Sequence, residues 1–127
     1  MSNHKDTLHN IVETMTAHYV ECMLWAGIDH NDDPLDANYG PDDLDSDTAA
    51  DIWQTCQTFI LDHGPDLNAT GGTWEQHGHD LYLTRNSHGC GYWDRGYGTA
   101  GDILTAAAHK LGETFEYISN SGKVCSE

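Results

Sequence analysis

Between Asp6 and Thr84 the chain contains neither lysine nor arginine, and its 127 residues hold only five of them in all: Lys5, Arg85, Arg95, Lys110 and Lys123. A surface so poor in cations cannot grip a phosphate backbone or an anionic bilayer, which argues against direct nucleic-acid binding and peripheral membrane attachment. Long apolar runs are missing too, and none approaches the roughly twenty residues of a membrane span. The start, Met-Ser-Asn-His-Lys-Asp, lacks the basic-then-apolar order of an export signal. Short cysteine spacings are likewise absent. Cys22, Cys56, Cys90 and Cys125 stand far apart, two of them on apolar helical stripes, so buried reduced thiols are expected in place of a disulfide framework.

What the chain does have is negative charge, and that charge is segregated. Sixteen of its 21 carboxylates fall between Asp6 and Asp80, while Asp94, Asp102, Glu113, Glu116 and Glu127 balance the five cations, so the middle stretch carries the entire formal −16. A local field of that sign speeds encounter with a basic surface.

The length suits one domain, 1–127, with a modest core. Leu8, Ile11, Val12, Met15, Tyr19, Cys22, Met23 and Ala26 share a helical face, predicting a helix over about 6–26 with Gly27 as a left-handed stop. Residues 29–47 have two prolines and no periodicity, and read as a long acidic loop. A second helix should begin near Asp47 or Thr48, carry Ile52, Trp53, Cys56, Phe59 and Ile60 on one face, and close at Gly64-Pro65. The first two helices are expected to pack antiparallel.

After a glycine-rich connector over 64–78, the alternation in Asp80–Arg85 predicts a strand and Gly91–Arg95 its hairpin partner. Ile103, Leu104, Ala107, Ala108 and Leu111 predict a third helix ended by Gly112, and 114–118 with 123–125 a second hairpin around Asn120-Ser121-Gly122. The expected class is α+β: two N-terminal helices, then a small antiparallel β-β-α-β-β sheet with one further helix.

The densest local motif is Thr84-Arg85-Asn86-Ser87-His88-Gly89-Cys90-Gly91-Tyr92-Trp93-Asp94-Arg95-Gly96. From His79 to about Gly98, with the following helix and the Tyr117–Val124 hairpin, the chain resembles a group of small phage and prophage proteins carrying His-Asp-x-x-Leu-Thr-Arg-Asn-x-His-Gly-x-Gly-Phe-Trp-Asp-Arg-Gly. Tyr92 stands in the Phe position and Cys90 where a small residue is usual. The likeness covers under half of the chain. It implies a phage-type accessory protein in the host cytoplasm and attaches no activity.

Two chemical readings of this region stay open beside a structural one. Arg85, His88, Asp94 and Arg95 hold the groups of a general base, its orienting carboxylate and anion-binding guanidiniums, with Trp93 beside them, so a small enzyme or nucleotide-binding site is one alternative. The other use of the same residues is a hairpin in which Trp93 fills the core and Arg85 pairs with Asp94. His77, His79, His88 and Cys90 are zinc-compatible donors without the paired spacings of structural sites. Asp29-His30-Asn31-Asp32-Asp33 imitates the opening of a calcium loop, but Pro34 and Gly40 occupy its glycine and glutamate positions. No cofactor, metal or enzymatic activity is expected.

The reading that uses the segregated charge is imitation of nucleic acid. Carboxylates can occupy the lysine and arginine sites of a basic groove that normally releases counterions from phosphates. The candidate partner-binding residues are Asp29, Asp32, Asp33, Asp36, Asp42, Asp43, Asp45, Asp47 and Asp51, with Tyr39 and Leu44 as apolar anchors and Glu13 and Glu21 from the first helix. The expected target is a host DNA- or RNA-binding protein, such as a restriction or CRISPR effector. A halophilic surface is the alternative, since the acids include fifteen Asp to six Glu.

Overall fold

A computed structural model describes residues 4–87, 91–92 and 95–127, with side chains from Thr7 onward. His88, Cys90, Trp93 and Asp94 therefore lie outside the described residues, together with the parts of the ligand-site, metal and hairpin expectations that depend on them. Four α-helices and one two-stranded hairpin follow in order: α1 His4–Ala26, α2 Ser46–Thr70, α3 Trp74–Arg85, α4 Thr99–Leu111, β1 Glu116–Ile118 and β2 Val124–Ser126. The expected β-β-α-β-β sheet is thus corrected to a mainly helical fold whose described sheet has two strands. Among the described residues no helix is long and apolar enough to cross a membrane.

The first helix forms as its apolar spacing dictates, burying Val12, Met15, Tyr19, Cys22 and Met23. Gly27 ends it, though without the expected left-handed backbone. A Cβ there would meet Leu35 Cδ1 and Met23 O, each at 2.8 Å, so glycine is needed to let Leu35 close over the helix end.

α2 begins at Asp45, whose carboxylate accepts from the Asp47 and Thr48 amides. The helix does not stop at Gly64-Pro65. It kinks at His63 (φ −126°, ψ 21°) and resumes to Thr70, because proline breaks one turn of hydrogen bonding yet fits the first turn of the segment that follows. The expected connector over 64–78 is therefore the end of α2, a short link and the start of α3.

The largest correction concerns residues 80–85. They are the second half of α3, in which Leu81, Tyr82, Leu83 and Thr84 are all buried. An amphipathic stripe appears only when one side of a helix faces water, and α3 packs on both α1 and α4 while Tyr82 donates to Glu116 on β1. Its sequence thus loses the helical period, and Leu-x-Leu passes for strand alternation. α3, rather than α2, is the chief partner of α1. Gly91, Tyr92 and Arg95, the described parts of the expected partner strand, lie in a bend, a 3-10 conformation and a turn instead.

The C-terminal hairpin forms as expected, pairing Glu116 with Ser126, Tyr117 with Cys125 and Ile118 with Val124. Cys22, Cys56 and Cys125 are buried and unbridged. Burial first, then the nearby Asp80 and Glu21 carboxylates, push the Cys22 thiol up to about 12, and burial pushes Cys56 up to about 11, which keeps both protonated and unreactive.

Candidate interaction surface

The segment joining α1 to α2 is tied down at both ends. Near its start Leu35 N–H donates to Gly27 O at 2.9 Å and Asp29 N–H to Asp33 O at 2.9 Å; near its end Asp45 N–H donates to Val124 O at 2.8 Å. Short 3-10 turns at Leu35–Ala37 and Pro41–Asp43 lie between.

Three of the expected partner-binding acids are committed to this local architecture. Asp29 is buried, and its Oδ1 accepts from the Asn31 amide at 2.8 Å and the Asp33 amide at 3.1 Å; these bonds, that from Asn31 foremost, hold its carboxyl below the usual range. Asp43 accepts from Gly40 N–H at 2.8 Å. Asp45 caps α2. Such short side chains satisfy backbone amides where no helix or sheet partner exists.

Asp32, Asp33, Asp36, Asp42, Asp47 and Asp51 are exposed. Among the described residues, carboxylates lie against a histidine or an arginine in four contacts: Glu13 by His9, Glu21 by His18 and by His79, and Asp80 by Arg95. None reaches the carboxylates between Asp29 and Asp51. Glu21 and Asp36 border one cleft of about 800 Å³, so α1 and the acidic segment share a face there. Of the expected apolar anchors, Tyr39 lines this cleft, whereas Leu44 packs on the core and bridges to Val124. Trp25, 67% exposed on the same cleft, was not anticipated. It lies off the apolar face of α1, on the side of His18 and Glu21.

The motif region behaves differently, engaging its polar groups in contacts within the fold. Asp80 is fully buried on α3; Arg95 approaches it through Nη2 at 2.7 Å from Oδ1 and through Nε at 3.2 Å from each oxygen. Burial raises the Asp80 carboxyl above its ordinary value, and Arg95 opposes that rise. Arg85 reaches the C-terminus of α4, donating to Gly112 O at 2.8 Å and Leu111 O at 3.1 Å, where orphan carbonyls and the helix dipole favour a cation. Tyr92 N–H donates to Thr84 Oγ1 at 3.0 Å, and Asn86 Oδ1 accepts from the Thr114 amide at 2.7 Å. Both arginines of the alternative ligand site thus have structural contacts, on Asp80 and on α4, and Arg85 does not form the half of a cross-strand pair expected of it.

The expected histidine group is also divided. His77 is buried, with Nε2 3.3 Å from Thr70 Oγ1 and Nδ1 3.4 Å from the Tyr92 hydroxyl, and burial lowers its pKa. His79 points elsewhere, because two positions on a helix are nearly opposite; its Nε2 lies 3.2 Å from Glu21 Oε1. His18 completes that group. The sequence signal was a His-x-x-Glu step on α1, but its third member arrives only through the packing of α3.

No family model, curated protein or solved structure matches the chain at a significant level.

Proposed function

We propose that the chain is an acidic accessory protein of phage type that occupies the basic nucleic-acid-binding groove of a host protein and blocks it by competition. The observation that carries this reading is a set of exposed aspartates, Asp32, Asp33, Asp36 and Asp42 on the anchored segment and Asp47 and Asp51 at the start of α2, with no lysine or arginine paired to them among the described residues. Anchoring matters because charges held in place lose less entropy on docking than charges on a free chain. Trp25 supplies the apolar anchor that aspartates lack, since binding energy concentrates in a few aromatic contacts ringed by polar ones.

The test is affinity capture from host lysate at about 50 mM and about 200 mM salt, followed by displacement of labelled duplex from the captured protein. Capture of a nucleic-acid-binding protein, weakened at high salt and lost in the Asp32→Asn/Asp33→Asn/Asp36→Asn/Asp42→Asn variant, is the expected result. Capture that ignores both salt and the variant overturns the proposal.

A further inference from the structure

His18, Glu21 and His79 form a group of which only Glu21 belongs to the interaction surface. His18 and Glu21 stand one helical turn apart on α1, His79 comes from α3, and their donor atoms all lie within 4.8 Å of one another. His18 Nδ1 is 3.9 Å and His79 Nε2 3.2 Å from the two Glu21 oxygens. We propose that this group binds a divalent transition-metal ion of the zinc class, through three protein ligands and one open position.

The donor set selects the metal. Two imidazoles with one carboxylate suit zinc and its neighbours, whereas magnesium and calcium prefer all-oxygen shells. Three protein ligands of this kind typify zinc sites that keep a fourth position for water or substrate. In a tetrahedral site with bonds of about 2.0–2.1 Å, donors sit about 3.4 Å apart. Closing from 4.8 Å to that spacing is within the reach of rotamer adjustments, and the side chains of His18 and His79 are 33% and 36% exposed and free to make them.

The backbone beneath is fixed. At Gly78 a Cβ would lie 2.3 Å from Met15 O, 2.8 Å from Tyr19 N and 3.0 Å from His18 Cβ, so α1 and α3 touch backbone to backbone beside the donors. Only glycine permits that approach, and it sets the His18-to-His79 distance. The site thus rests on two rigid helices, the foundation that precise ligand geometry requires.

The surroundings suit the open position. Glu21 and His79 border the cleft of about 800 Å³ whose other walls include Leu24, Trp25, Tyr39 and Leu83. An apolar wall limits competing hydration, and the surrounding negative field concentrates cations while repelling anions. The fourth ligand would therefore be neutral: water, or a carbonyl or imidazole presented by a bound molecule.

The competing explanation is that Glu21 simply packs against the two imidazoles, and that any metal bound by the protein spreads over its aspartates. Titration of the isolated full chain with Zn2+ by calorimetry, and with Co2+ by visible absorption, separates the two. The expected result is one tight site with the intense bands of tetrahedral cobalt, undisturbed by excess Ca2+, and weakened about 100-fold or more by His18→Ala or His79→Ala, since even outer-shell changes cost 10- to 100-fold. Zn2+ should also raise the melting temperature of the unmodified protein but not of His79→Asn, a readout that guards against misfolded variants. Weak binding that Ca2+ displaces, or tight binding lost in Cys90→Ser and kept in His79→Ala, overturns the proposal. The measurement needs no partner protein, so its outcome is independent of the interaction reading.

Discussion

The acidic stretch from Asp29 to Asp51 and the stretch from His77 on α3 to Arg95 are both dense in polar groups, yet they are built on different plans. In the first, a few aspartates satisfy backbone amides and the rest face water with no lysine or arginine partner among the described residues. In the second, polar groups are matched within the fold: the buried Asp80 by a partly exposed Arg95, the α4 terminus by Arg85 at the surface, both ring nitrogens of the buried His77 by hydroxyls. Water screens exposed charges and makes each nearly neutral to stability, whereas a buried charge must be paired or its desolvation goes uncompensated. The first region is therefore free to be spent on recognition, and the second is bound to the fold.

The sharpest way to break this contrast is at Gly78. Gly78→Ala forces a Cβ onto the Met15 carbonyl, a backbone group that cannot swing away, and should cost about 3 kcal/mol in urea denaturation. A loss under about 0.5 kcal/mol would mean that the two helices are not so tightly apposed.

Next comes Arg95→Met, which strands the buried Asp80 carboxylate. Because Arg95 is one-third exposed, about 2 kcal/mol is expected at pH 7, below the usual figure for a fully buried pair. The sign with pH follows from Asp80, whose carboxyl is already raised in the folded state and rises further without the guanidinium. A raised carboxyl favours the fold at low pH and loses that contribution as pH climbs through the folded-state value. The deficit relative to the unmodified protein, compared at each pH, should therefore shrink toward pH 4; a constant deficit would refute the pairing argument.

The smallest effects lie inside the acidic run and divide it. Asp45→Ala removes the α2 cap and should cost about 1 kcal/mol, while Asp47→Asn, two residues on and exposed, should stay within about 0.5 kcal/mol. Equal effects at the two positions would dissolve the distinction between structural and presented aspartates.

Legibility from sequence followed the same divide. α1, the start of α2, α4 and the hairpin were readable, because each has one wet side and one dry side and so prints its period in the residues. α3 was not, since contacts on several sides erased that period, and Pro65 marked a kink that resembled an end. Within the site, the exposed aspartates were visible as carboxylates in a stretch without lysine or arginine. Trp25 and the meeting of His18 with His79 were hidden, because nothing local separates an exposed apolar residue from a buried one or brings positions 18 and 79 together.

By itself the sequence determined how much charge the protein carries, its sign and its confinement to one stretch, since ionisation is a property of residue type. It also determined a local stop at Gly112. Only the tertiary structure decided which aspartates face water, which arginines are consumed internally and which histidines share a carboxylate. Those outcomes depend on burial and on distances between helices far apart in the chain, and both arise only when the core closes.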